Sequence, residues 1–345
     1  MAEERIGVAI QGAGNVSTEH LRAFIANPHT EVVAIGSRTR QGAARKRDEV
    51  GLAEADCTLY DDYDALLADP RVAAVSICTP AERHAQETIA AAGAGKHILI
   101  EKPVATTVAE LREMHAAVQT SGVRTVVSFV LRWNPLVETI KALRADGAFG
   151  QPFFVQTDYW HNTVQARYPG AQGKPRRHAP ISMMLAGGCH AVDLARHLMG
   201  SDVAAVTALA YDDDPTTTTP KNSVALLRFA NGTMGKVSAC TTQWMPYWFN
   251  IDLFGPDGAI RDNRLYTRKL PGQTDFATIP TVLPSSGAVA HHPFQGEIDH
   301  FVACIRSGAE SHANLADAVN THEACFAAER SAAEGGRCIP LPLSS

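Results

Sequence analysis

Ile6-Gly7-Val8-Ala9-Ile10-Gln11-Gly12-Ala13-Gly14-Asn15-Val16-Ser17 sets a short apolar run, two glycines one residue apart, and the start of an amphipathic stretch in immediate succession. This order predicts a strand over Ile6–Ile10, a tight turn, and a helix whose signal runs from Glu19 to Ile25. So sharp a turn favours residues without a Cβ, and the amides it bares at a helix N-terminus suit an anion such as a pyrophosphate. Gly12, Ala13, Gly14, Asn15 and Val16 are therefore candidate phosphate-binding positions, with Ser17 standing where a third glycine is common. A Gly-x-Gly pair also serves any plain strand-to-helix turn; its position after the first strand favours the anion site.

Downstream, apolar runs at Val32–Ile35, Val72–Ile77, Ile98–Ile100 and Val123–Val127 alternate with amphipathic stretches. That rhythm predicts a doubly wound parallel sheet, an α/β domain over residues 1–128. Thr107 followed by Glu110 reads as a capping box. The rhythm stops at Phe129-Val130-Leu131-Arg132-Trp133-Asn134-Pro135, where the proline can start a helix through Leu136, Ile140 and Leu143. Residues 129–345 then form a second, α+β domain. Its antiparallel strand signals lie at Phe153–Tyr159, Val203–Tyr211, Ser223–Phe229, Met234–Thr241 and Phe249–Phe254, with Ala230-Asn231-Gly232-Thr233 as a hairpin turn whose Asn-Gly pair accepts positive φ. Asn162–Pro180 has no apolar period and reads as a loop; Phe294 to Ile305 and Leu315 to Ala333 return to helical stripes.

The chain has 345 residues, 45% of them apolar and 19% charged, which suffices for two cores and argues against disorder. A net charge of -5 without long runs of one sign gives no footprint for nucleic acid or an anionic membrane, leaving a small molecule as the expected partner. The polar start Met1–Arg5 lacks the regions of a signal peptide, and no apolar run is long enough to span a bilayer. The seven cysteines form no C-x-x-C pair and fall mostly in apolar patterns, so reduced thiols in a cytoplasmic protein are expected.

In a doubly wound sheet the carboxyl ends of the strands line the ligand crevice. Glu101-Lys102-Pro103 closes the strand His97–Ile100 at such an end, so the Lys102 amine is expected to reach a group undergoing hydride transfer. A solvated lysine at a strand end is the plainer alternative. After the second strand stands Gly36-Ser37-Arg38-Thr39-Arg40, without the carboxylate that would hold a ribose 2′-hydroxyl. Ser37 and Arg38 suit a 2′-phosphate instead, which favours NADP over NAD. In the second domain, Gly187-Gly188-Cys189-His190 reads as a loop entering a helix on which His190, Asp193 and His197 share a face. A neutral His190 would take or give a proton and Asp193 would orient it; a packed, inert helix histidine is the alternative. His190 and Asp193 lack a third ligand at supportive spacing, so no metal is expected.

Together Gly12-Ala13-Gly14, Thr79-Pro80 with His84, Ala92-Gly93 through Gly95-Lys96-His97, Glu101-Lys102-Pro103, Gly188-Cys189-His190-Ala191-Val192-Asp193 and His292-Pro293-Phe294 resemble the glucose-fructose oxidoreductase, inositol dehydrogenase and MocA family over nearly the whole chain. The resemblance implies a Rossmann domain, a C-terminal α+β domain with a large open sheet, a sugar, inositol or related polyol as substrate, and assembly as a homodimer or homotetramer. It implies catalytic roles for Lys102 and His190, and a place near the cofactor for Cys78, Thr79, Pro80, His84 and Glu101 beside the glycine turn. Many members carry Asp or Asn four residues before the histidine, where this chain has Ala186; Asp193, His161 and Tyr168 are candidate substitutes. Arg132, Tyr159, Trp160 and His161, with Arg176, Arg177 and His178, are candidates to line a sugar pocket, although Tyr159 and Trp160 equally suit packing at a strand end. Two rivals remain open: a same-fold enzyme that oxidises transiently to permit epimerisation, elimination or glycoside cleavage, and a non-catalytic NADP-binding regulator.

Overall fold

The computed structural model describes residues 5–162, 181–212, 219–285 and 288–344. It divides into two compact units, the first ending at Val130 but also taking Pro293–Val319, the second comprising Leu131–His292 and Asn320–Ser345.

In the first unit β1 (Ile6–Gln11), α1 (Asn15–Ala26), β2 (Thr30–Gly36), α2 (Arg40–Glu49), β3 (Thr58–Tyr60), α3 (Tyr63–Leu67), β4 (Ala74–Ile77), α4 (Ala81–Gly93), β5 (His97–Ile100), α5 (Val108–Ser121) and β6 (Thr125–Val127) follow one another. The six strands lie in the order β3-β2-β1-β4-β5-β6 and all pair in parallel, the doubly wound arrangement whose strand order reverses between β1 and β4. β4 is buried along its whole length, as a strand covered on both faces must be. The short edge strand β3 has no counterpart in the sequence reading. Thr107 and Glu110 form the expected capping box on α5.

Pro293–Val319 joins this unit for identifiable reasons. Its helix α8 (Phe294–Ser307) lays Phe301 edge-on to Phe24 at 6.5 Å, and Asn27 Nδ2 donates to Asp299 at 2.7 Å. Beyond it, Val127 N–H donates to the Ala313 carbonyl and Leu315 N–H to Thr125 Oγ1. Helical periodicity reveals the stripe but not which sheet it covers, so the expected split at 128/129 leaves this piece in the wrong unit by contact.

The second unit holds α6 (Pro135–Ala145), β7 (Phe154–Trp160), α7 (Cys189–Met199), β8 (Val203–Tyr211), β9 (Asn222–Phe229), β10 (Met234–Cys240), β11 (Trp248–Gly255), β12 (Gly258–Arg261), β13 (Arg264–Thr267) and β14 (Ala277–Thr278), then, after α8 of the first unit, α9 (Leu315–Ala333) from Asn320 onward and β15 (Ile339–Pro340). The sheet runs β14-β13-β12-β11-β7-β10-β9-β8-β15. It is mostly antiparallel, as expected, but β10 pairs with β7 in parallel, Ala239 opposite Tyr159. The β9–β10 hairpin forms with positive φ at Gly232 alone; Asn231 instead accepts from the Thr233 N–H and hydroxyl through its side chain. One sheet face packs on α7, where Thr157 Oγ1 donates to the Ala191 carbonyl at 2.8 Å.

Among the described residues no disulfide forms, and Cys57, Cys78, Cys189, Cys304 and Cys325 are buried. No helix there is long and apolar enough to cross a membrane. The loop expected over Asn162–Pro180, with Tyr168, Arg176, Arg177 and His178, lies outside the described residues apart from Asn162.

Candidate active site

The first unit gathers its candidate residues at the carboxyl ends of β1, β2, β4 and β5. Gly12 has φ +113°, and a Cβ there would lie 2.6 Å from the Cys78 carbonyl oxygen, so both the conformation and the space demand glycine. Its N–H donates to the Gly36 carbonyl, drawing the ends of β1 and β2 together. Gly14 has an ordinary φ of -81° and stands at the N-terminus of α1, which has no side-chain cap and no acidic residue in its first turn. Asn15 and Val16 open that helix. Ser17, buried, donates its hydroxyl to the Gly14 carbonyl at 2.7 Å, so a serine fits the third-glycine position by satisfying its own polar atom. An uncapped helix end behind a turn with no room for a Cβ fits the pyrophosphate of a dinucleotide.

Ser37, half-buried, follows β2, and Arg38 beside it is exposed. Thr39 caps α2 through Gly42 N–H, and Arg40 pairs with Asp61 at 3.2 Å on the surface. Pro80 stands at the N-terminus of α4. Thr79 Oγ1 donates to the buried Glu87 carboxylate, which also accepts from Gln11 Nε2 at 3.0 Å and Arg83 Nε at 2.9 Å. Glu87 escaped the sequence reading; its signal is an acidic residue on the apolar side of α4.

His84 is buried, with Nδ1 2.8 Å from the Pro103 carbonyl oxygen and Nε2 2.8 Å from that of Thr79. It therefore ties the turn after β4 to the turn after β5. Glu101, buried, lies 3.1 Å from His20 Nε2 through Oε1, while its Oε2 accepts the Lys102 N–H at 3.1 Å. Lys102 itself is half-buried. Burial favours the neutral form of Glu101, but its hydrogen bond and charge attraction to His20, aided by Lys102, hold the carboxyl below its ordinary range.

In the second unit the approach to His190 is helical, not a loop. A π-helical turn, Met184–Gly188, leads without a break into α7. Gly187 passes so close to Tyr159 that an added Cβ would lie 2.7 Å from its Cδ1. Tyr159 stacks on the His190 ring at 6.2 Å, and its hydroxyl is 3.1 Å from His161 Nδ1. Tyr247, absent from the sequence reading, meets Tyr159 edge-on at 5.5 Å and His161 at 5.1 Å. Its signal is the alternation Tyr247, Phe249 entering β11, with Phe249 paired opposite Tyr159.

Strand alternation separates Trp160 from this group. Its Nε1 donates to Ser238 Oγ at 2.7 Å, and Ser238 in turn donates to Asp158, beside Lys236, on the other face of the sheet. The run Tyr159-Trp160-His161 thus divides between two faces instead of lining one pocket. Asp193 is engaged by Arg132, whose Nε and Nη2 donate to its two carboxylate oxygens at 2.8 and 2.5 Å. Both side chains are 2% exposed, so these candidates form one buried ion pair. Among the described residues no group of acidic, histidine or cysteine side chains is arranged to hold a metal.

Comparison with known proteins agrees with this architecture. Residues 6–129 match the model of an oxidoreductase family with an NAD-binding Rossmann fold, and residues 137–261 match the GFO/IDH/MocA C-terminal domain. The scyllo-inositol 2-dehydrogenase (NAD(+)) of Bacillus subtilis strain 168 is 24% identical, covering 99% of this chain and 97% of its own length. The levoglucosan dehydrogenase of Pseudarthrobacter phenanthrenivorans is 27% identical over 80% of this chain and 77% of its own. A solved levoglucosan dehydrogenase in complex with NADH superposes with a TM-score of 0.86 at 23% identity, covering 98% of this chain and all of that one, which bears on the fold. The chain is a dehydrogenase or reductase and belongs to the Gfo/Idh/MocA oxidoreductase family.

Proposed function

We propose that this enzyme transfers a hydride between a nicotinamide dinucleotide and a secondary alcohol or ketone of a sugar, inositol or related polyol. The observation that carries the reading is that the Gly12 turn and the Glu101-Lys102-Pro103 turn stand at the same end of the parallel sheet, after β1 and β5 on either side of β4. The substrate class is supported by the relatives named above, which are dehydrogenases of an inositol and of levoglucosan.

When bound, the nicotinamide supplies the hydride acceptor or donor. The Gly12 turn and the N-terminus of α1 hold the pyrophosphate. The Lys102 ammonium polarises the substrate oxygen, and the His190 imidazole takes or returns the hydroxyl proton. Tyr159 and His161 complete the surroundings of His190. Arg132 and Asp193 act as a positioning pair for α7, because both carboxylate oxygens accept from the guanidinium and both side chains are buried. Ser37 and Arg38 favour a 2′-phosphate, hence NADP; the relatives' own names, NAD(+) and NADH, favour NAD.

Titration with NADPH and NADH, with turnover assayed on myo-inositol, scyllo-inositol and levoglucosan, tests the reading. Lys102→Met is expected to leave dinucleotide affinity nearly intact and to remove most turnover; full residual activity would discard the lysine's role. Arg38→Ala should weaken NADPH far more than NADH, and equal effects would assign the site to NAD. His190→Asn should lower turnover without altering dinucleotide affinity.

A further inference from the structure

Behind Lys102 lies a buried group of polar side chains that the proposed reaction does not use. His20 on α1 is 0% exposed. Its Nδ1 is 2.8 Å from Ser76 Oγ, its Nε2 is 3.1 Å from Glu101 Oε1, and the Phe294 ring covers it at 5.0 Å. Ser76 Oγ lies 3.5 Å from the Cys78 sulfur. Glu297, also 0% exposed, accepts from Ser128 Oγ at 3.1 Å, and its second oxygen is buried without a hydrogen-bond partner among the described residues.

A buried imidazole and carboxylate are costly unless each satisfies the other, and their placement is informative. Glu101 divides its two oxygens: one meets His20, the other accepts the backbone N–H of Lys102. On the far side, His84 holds the Pro103 carbonyl. The residue that carries the amine is therefore held at both neighbours by a buried histidine.

We propose that His20 is a positioning residue for Lys102, acting through Glu101 to fix the turn that carries the amine, with His84 as the matching hold on Pro103. The proposal rests on the assignment of Lys102 above and extends it to the buried side chains behind that lysine. Burial opposes a charged His20, but Cys78 and Glu101 outweigh it and raise its pKa well above the ordinary value. Burial, and then the Glu101 charge, push the Glu297 carboxyl up to about 8 against His20 and Ser128. The two shifts favour the protonated forms of His20 and Glu297, and the attraction of His20 favours the Glu101 carboxylate.

His20→Gln, which keeps a donor and an acceptor but no charge, is the test. Hydrogen exchange followed by mass spectrometry on the segment spanning Lys102 requires no ligand. The amide of Lys102 should exchange about ten-fold faster in the variant. Turnover on whichever of myo-inositol, scyllo-inositol and levoglucosan the wild type uses should fall about ten-fold, with KM for the dinucleotide within about two-fold. Glu101→Gln and His84→Asn should accelerate the same segment. A His20→Gln protein that melts lower yet keeps wild-type exchange at Lys102 would overturn the proposal and leave His20 a core residue. Activity retained by Lys102→Met would instead overturn the catalytic assignment, whatever the exchange shows.

Discussion

The Tyr159 ring lies against the His190 imidazole with centroids 6.2 Å apart and planes 21° from parallel, and its hydroxyl is 3.1 Å from His161 Nδ1. Gly187 permits this, because any larger residue would occupy the ring's place. Gly187→Ala is therefore expected to displace Tyr159 and lower turnover about ten-fold without altering dinucleotide affinity, which the first unit provides. Tyr159→Phe keeps the stack and loses only the hydroxyl, so its effect should be smaller. Steady-state kinetics on both variants, with dinucleotide binding followed by fluorescence, would show it; an unimpaired Gly187→Ala would disconnect Tyr159 from the chemistry.

Glu297 gives the first unit a predictable response to pH. Its folded pKa of about 8 lies well above that of an unfolded glutamate, about 4.3, so the folded protein binds an extra proton between those values. Its stabilisation is fully present below the lower value and is lost as pH rises through the upper one. His20, whose folded pKa is also raised, loses its contribution in the same direction as pH climbs. Glu101, whose folded pKa is lowered, loses its own at the acid end. Glu297→Gln should remove the glutamate's share, so thermal unfolding from pH 5 to 9 should show a flatter decline than wild type, with the His20 part remaining. An unchanged decline would mean that another group carries the proton.

The doubly wound domain was readable because its signals are local: apolar runs of strand length, a glycine pair at a strand end, a capping box at Thr107. What escaped depends on pairing across the chain. Thr58–Tyr60 is too short to announce a strand, and only its ladder with Ala34–Gly36 makes it one. The parallel pairing of β10 with β7 is a property of register, not of either strand's composition. His20 stands three residues after Ser17 and four before Phe24, on the buried face of α1; its position and Glu101 are both plain in the sequence, but their pairing across 81 residues is not. Trp160 shows the converse failure: neighbours in sequence were grouped although strand geometry sends alternate residues to opposite faces.

Gly12 offers the sharpest test of the cofactor turn. Its φ of +113°, and the Cys78 carbonyl oxygen only 2.6 Å from where an alanine methyl would sit, mean that Gly12→Ala must move the end of β1 or of β4. Strain of this kind costs about 1–3 kcal/mol, and the backbone amides at the turn would no longer present the same face to a pyrophosphate. Dinucleotide affinity should therefore fall by at least about ten-fold, while Gly14→Ala, at an ordinary φ and with the Cys78 oxygen 3.9 Å away, should be milder. Calorimetric titration with NADH and NADPH would rank the two; equal losses would remove the distinction drawn between these glycines.

Asp193 can serve His190 or serve Arg132, and the two roles differ in what its removal does. As the partner of Arg132 it neutralises a guanidinium that is 2% exposed, so Asp193→Asn leaves a buried charge behind and should cost about 3–5 kcal/mol in urea-induced unfolding. Replacing both residues by leucine removes the charge along with its partner and should recover much of that loss. Thr321, 3.4 Å from Asp193, accepts from Arg196 at 2.8 Å and would keep that bond in the double variant. If Asp193 chiefly oriented the imidazole, Asp193→Asn would instead leave stability nearly unchanged and shift the pH profile of turnover, and the double variant would be as inactive as the single one. The bidentate geometry favours the first outcome, because both carboxylate oxygens already face the guanidinium.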